Sequence, residues 1–396
     1  MTTFPCQTHM QTEREFYMDM DNGISLYPGL DNTPAENLAL LEEAAHDGIR
    51  RIFTSLHIPE TDVSALKQEI GTLLQAARRH GMEVISDVSP ATCQLLDLPD
   101  FNPTSFRMLG ITTLRLDYGF SAEEIARLTH RFPEMRFQLN ASTITRRILK
   151  DLQDAGTDFS RIDALHNFYP RRGTGLSEQS LVHANILLHR YGIRVGAFVA
   201  SQGRRRSPLK DGLPTLEEHR DEAAELSARH LVALGCDSVF LADSLPTAEE
   251  IQGIGQLQGD QVTLHARYMT KDPVQRELLA HTFTARLDEA RDAIRAQESR
   301  RLLREMHARV LPDNATTHPI GAVTIDNEGY GRYMGELQII RVPQPSDPRT
   351  NVAAMIDESE CNLLQYITPG RKFSFQFDSE TDRTRQKLSF ISEKES

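Results

Sequence analysis

Eight short apolar runs, separated by amphipathic helical stretches, fill most of the first 260 residues and leave few folds open to this chain. The runs are GISLYPG (23–29), RIFTSL (51–56), EVISDVS (83–89), TLRLDYG (113–119), RFQLNAS (136–142), RIDALHNF (161–168), RVGAFVAS (194–201) and SVFLAD (238–243). Short apolar strands alternating with helices belong to parallel sheets buried on both faces. The intervening segments, such as PAENLALLEEAAHDG, SALKQEIGTLLQAARRHG and SLVHANILLHRYG, carry apolar residues at helical spacing, with Gly48, Gly81 and Gly192 placed as C-caps. Eight such units make a (β/α)8 barrel of the TIM type within the α/β class. The rival, an open doubly wound sheet, usually runs from its first strand into a glycine-rich phosphate turn, and GISLYPGLDN is not GxGxxG.

A chain of 396 residues exceeds the size at which one core keeps growing, so a second, smaller domain is expected. The rhythm weakens past about residue 260, and HTFTARLDEARDAIRAQESRRLLREMHARV reads as charged helix, giving a helical connection over 261–313. From 314 to 378 short alternating strands broken by Gly and Pro predict a small all-β domain. Residues 1–22 read as an extension, 23–260 as the barrel and 379–396 as a polar tail.

The formal charge of −12 supplies no basic face for polynucleotides. The first twenty residues lack an apolar signal core, and no stretch reaches the ~20 apolar residues of a membrane span, so a cytoplasmic protein is expected. Cys6, Cys93, Cys236 and Cys361 are widely spaced, which suits reduced, structural thiols. His57, His166, His219 and His265 are dispersed and no HExxH appears, so neither a metal nor another cofactor is expected.

In a barrel the strand ends gather on one face, where the following loops build the site. Asp87 and Asp117 close consecutive strands, about 4.8 Å apart, so their carboxyls can face one substrate as acid and base or nucleophile. The plainer alternative is that each caps the helix after it. Glu60 is a third carboxyl near the same rim. Asn140, His166 and Asn167 offer hydrogen bonds to hydroxyl or acetamido groups, while Arg115, Arg171 and Arg172 are forks matched to phosphate or carboxylate. The loop SQGRRRSPLKDGLPTLEEHR, with Arg204, is basic in an acidic protein and follows strand seven, where barrels often hold phosphate. Near the C-terminus, DNEGYGRYMGELQI reads first as strand and turn; as a second reading, Asp326, Glu328, Tyr330 and Arg332 form a lid over the barrel.

The ordered motifs GISLYPG, RRIFTSLHIPE, DVSP, LRLDYGF, LNAST, HNFYPRRGTGLS, GLPTLEEHR and DNEGYGRYMGELQI resemble the bacterial 6-phospho-N-acetylmuramidase family over residues 23 to 378. The resemblance implies a cyclophilin-like β domain after the barrel. It also implies cytoplasmic cleavage of N-acetylmuramic acid 6-phosphate–N-acetylglucosamine, a phosphorylated amino-sugar disaccharide, into its two sugars for cell-wall recycling. A homo-oligomer is compatible with the same features. The rivals are a phosphosugar isomerase or lyase on the same barrel and a non-enzymatic phosphosugar-binding regulator.

Overall fold

The computed structural model describes residues 20–55, 58, 60–88, 101–116 and 119–377. Asp117, His57, Ser89, Cys6 and Cys93 lie outside the described residues, as do most of the expected N-terminal extension and the polar tail.

Eight parallel strands close into a barrel in chain order: β1 Gly23–Ser25, β2 Arg51–Ser55, β3 Glu83–Asp87, β4 Thr113–Leu116, β5 Arg136–Asn140, β6 Ile162–Leu165, β7 Val195–Val199 and β8 Ser238–Leu241. β1 pairs with both β2 and β8, so no strand edge is left open. The helices between strands start where the sequence places their caps. Thr33, Ser121 and Thr247 each accept the N–H of the glutamate three residues on and donate their own N–H to its carboxylate. Such capping boxes stabilise a helix by about 1 kcal/mol each and fix where the preceding loop ends.

The barrel interior is layered. Near its lower end the buried Arg51 guanidinium is held by Glu83 at 2.9 Å and Asp163 at 2.5 Å, with Gln138 donating to Asp163. Two carboxylates against one arginine satisfy a charge that would otherwise be costly to bury. Above it lies an aromatic layer. Phe198 packs edge-on to Phe53 (5.2 Å) and Phe168 (5.1 Å) and tilts against Phe240 (5.6 Å), forming the floor of the barrel mouth.

The second domain is a seven-stranded sheet of β9 Gln261–Tyr268, β10 Phe283–Thr284, β11 Ala293–Arg295, β12 Ala322–Asp326, β13 Leu337–Ile340, β14 Thr350–Ile356 and β15 Lys372–Phe377. The order is β10-β15-β9-β14-β12-β13-β11, antiparallel except where β15 runs beside β9. The helical connection expected over 261–313 is therefore corrected: β9, β10 and β11 lie inside it, and α-helix covers only Pro273–Leu279 and Ser299–Glu305. The physical reason is alternation. QVTLHARY buries every second residue, Val262, Leu264 and Ala266, against the sheet core, and the charged run around Ala293–Arg295 is ordered by pairing with β13. Among the described residues no helix is long and apolar enough to cross a membrane.

The domains are joined along the helix Ala224–Ala233. Arg229 makes a two-pronged ion pair with Glu360 at 2.6 and 2.5 Å, and His265 lies 3.2 Å from Glu225 and 3.1 Å from Glu360. Burial opposes a charge on His265, but the two carboxylates outweigh it and raise its pKa to about 9. A folded-state value above the unfolded value of about 6.5 gives a stabilisation that is complete below that pH and is lost as pH rises through about 9. The melting temperature is expected to fall between about pH 7 and 10 by several degrees more in the wild type than in His265→Gln. Parallel curves in calorimetry remove His265 from the pH response.

Candidate active site at the barrel mouth

The mouth is built from the strand ends upward. Alternation along a strand sends side chains in turn into and out of the barrel, and Phe53, Ile85, Leu165, Phe198 and Phe240 point inward as its apolar floor. Asp87 is two residues beyond Ile85, and Asn167 is two beyond Leu165. Arg115 on β4 completes this side. Its guanidinium reaches Asp87 Oδ1 at 3.2 Å, Asn167 Oδ1 at 2.6 Å and the Leu165 carbonyl at 3.3 Å, and lies 5.9 Å from the Phe53 ring. Asp87, Arg115 and Asn167 thus form one polar chain over the floor, as expected from the strand ends.

The loop after β7 forms the opposite wall. Asp243, wholly buried, accepts the N–H groups of Ser201 (2.9 Å), Arg206 (3.0 Å) and Leu213 (3.3 Å). Burial pushes its carboxyl pKa up, and those three N–H bonds oppose the rise. Asp31 holds the loop further along through the Ser207 N–H at 2.8 Å. Gly203 is required where the loop passes β8, since a Cβ there would come within 2.3 Å of the Leu245 carbonyl oxygen.

This folding decides which arginine faces the site. Arg204, expected at the substrate, turns outward and is bound two-pronged to Glu36 at 3.1 and 2.8 Å. Arg206 turns inward. It is 8% exposed, its guanidinium carbon lies 5.0 Å from the Tyr27 ring and 4.8 Å from Phe168, and its buried Nε has no hydrogen-bond partner among the described residues. Tyr27 donates its hydroxyl to the Ala242 carbonyl at 2.7 Å, and burial lifts its pKa to about 12, so the ring stays neutral beneath the cation.

Other expected residues divide. His166, expected at the substrate, is fully buried behind the barrel wall: Nε2 meets Asn185 Oδ1 at 3.0 Å and Nδ1 meets the Ser142 hydroxyl at 3.2 Å. Burial lowers its pKa to about 4 and keeps the ring neutral, while Ser142 Oγ accepts the Asn167 N–H at 2.9 Å. His166 therefore positions Asn167. Asn140 caps the following turn by accepting the Ser142 N–H at 3.0 Å. Arg171 is exposed after β6, and Arg172 is ion-paired with Asp221 at 2.6 Å. Glu60 is exposed in the turn ahead of the helix Val63–Arg79, and Asp117 follows β4 outside the described residues. The expected lid residues Asp326 and Tyr330 line a polar cavity of about 680 Å³ in the β domain, where Tyr330 donates to Asp347 at 2.6 Å.

The chain matches the model described as 6-phospho-N-acetylmuramidase, N-terminal, over residues 22–256, and its C-terminal counterpart over 262–376. The chain belongs to the 6-phospho-N-acetylmuramidase family. It is a glycoside hydrolase by that membership, and its two matched segments correspond to the barrel and the β domain. An uncharacterized B. cereus protein of known structure is 30% identical, with a TM-score of 0.78 over 90% of this chain and 99% of the other. A conserved Enterococcus faecalis protein of unknown function is 31% identical, with a TM-score of 0.64 over 93% of this chain and 99% of that one. No curated protein matches the chain.

Proposed function

We propose that this chain hydrolyses the glycosidic bond of N-acetylmuramic acid 6-phosphate–N-acetylglucosamine in the cytoplasm, releasing N-acetylmuramic acid 6-phosphate and N-acetylglucosamine. The observation that carries this reading is Arg206, a guanidinium whose buried Nε has no hydrogen-bond partner among the described residues, set across the aromatic floor from the Asp87–Arg115 pair. A planar fork in a partly dry site binds phosphate in two-pronged fashion. Exposed Arg171, at the same rim, adds a second positive charge.

Glycosidic cleavage needs one carboxylic acid to protonate the leaving oxygen and one carboxylate to attack the anomeric carbon or activate water. Paired with Arg115, Asp87 suits the carboxylate role, which gives Asp117 that of the acid. Asn140 and Asn167 are the groups we assign to the hydroxyl and acetamido groups of the sugar. The test is sugar release from the 6-phosphorylated and the unphosphorylated disaccharide. Hydrolysis of the phosphorylated form alone is expected; no release from either sugar by folded protein overturns the proposal.

A further inference from the structure

A second chemical constellation lies outside the mouth, between the end of the β7 loop and the β domain. The turn Glu217–His219 brings His219 against His230 on the helix Ala224–Ala233, with His219 Nε2 at 2.9 Å from His230 Nδ1. Both rings are buried, at 1% and 5% exposure. Three carboxylates surround them: Glu222 Oε2 at 3.8 Å from His219 Nε2, Glu218 Oε1 at 3.9 Å from His230 Nδ1, and Glu178 Oε2 at 3.9 Å from His230 Nε2. Tyr366 of the β domain is 2.9 Å from His230 Nε2.

Arg229, the adjacent cation, is bound to Glu360. Hydrogen bonding leaves one buried group unsatisfied. The buried His219 Nδ1 has no hydrogen-bond partner among the described residues.

We propose that Glu218, His219 and His230 bind a divalent transition-metal ion of the zinc class, with Glu222 in reach as a fourth ligand. One ligand atom from each of the first three lies within 4.8 Å of the others. A tetrahedral zinc ion with bonds of about 2.0–2.1 Å spaces its ligand atoms roughly 3.3 Å apart, between the His–His separation and the His–Glu separations here. Two neutral imidazoles and carboxylate oxygen are the donor set such an ion takes. The ion ties the β7 loop to the helix and, through the His230–Tyr366 contact, to the β domain. The sequence hides this site, because His219 and His230 lie 11 residues apart, which is no recognisable ligand spacing.

The full-length protein, stripped by a chelator and titrated with Co²⁺, tests this directly. The expected result is uptake of one ion per chain with intense visible bands of tetrahedral geometry, displaced by Zn²⁺, and a melting temperature that rises with Zn²⁺ concentration. Glu218→Gln, at a half-exposed position, and His230→Gln should each abolish the bands while the far-ultraviolet spectrum stays native. His265→Gln, in the separate Arg229–Glu360 cluster, should leave them intact. No uptake below millimolar Co²⁺, or uptake unchanged in both Glu218→Gln and His230→Gln, overturns the site.

Discussion

Asp87→Asn is expected to lower kcat for the phosphorylated disaccharide by about 10³-fold or more while KM changes only a few-fold, because the substitution removes a charge and keeps the shape. The loss belongs to the transition state, where positive charge builds at the anomeric carbon. If Asp87 is the nucleophile, Asp87→Ala supplied with azide should release a glycosyl azide, since the small anion takes the place of the missing carboxylate. An Asp87→Asn enzyme keeping more than about a tenth of wild-type kcat would reduce Asp87 to a prop for Arg115, to which it is bonded at 3.2 Å.

The same residue shows how far the sequence could be read. Eight apolar runs were enough to predict the closed barrel, because a parallel strand buried on both faces announces itself locally. Asp87, Arg115 and Asn167 were legible as mouth residues because strand ends share one face and alternation keeps them in phase with Ile85 and Leu165. Alternation also carried the signal for His166: with Leu165 and Asn167 facing in, the residue between them faces the helix, where it meets Asn185. Choosing Arg206 over Arg204 was out of reach, because the loop is shaped by Asp243 and Asp31, 37 and 176 residues away in the chain. Distance along the chain likewise concealed β9, whose parallel partner β15 lies about 110 residues later. The charged run after β9, from His281, favoured helix, and long-range pairing of Ala293–Arg295 with β13 prevailed.

Arg206→Met is the substitution that separates recognition of the phosphate from chemistry. Methionine keeps an apolar stem over Tyr27 and Phe168, whose rings lie 5.0 and 4.8 Å from the guanidinium carbon, and deletes the cation. A charged fork bound to phosphate in a partly desolvated site contributes enough that kcat/KM for the phosphorylated disaccharide should fall about 10²- to 10³-fold. The unphosphorylated disaccharide should be nearly unaffected, so the preference between the two collapses. Arg204→Met is the matched control: its guanidinium is spent on Glu36 at the surface, and kinetics close to wild type are expected. Equal losses on both substrates in Arg206→Met would take the 6-phosphate away from this arginine and assign it to a group both substrates share, the lactyl carboxylate. The ratio of the two losses therefore identifies which anion the inward-turned guanidinium holds.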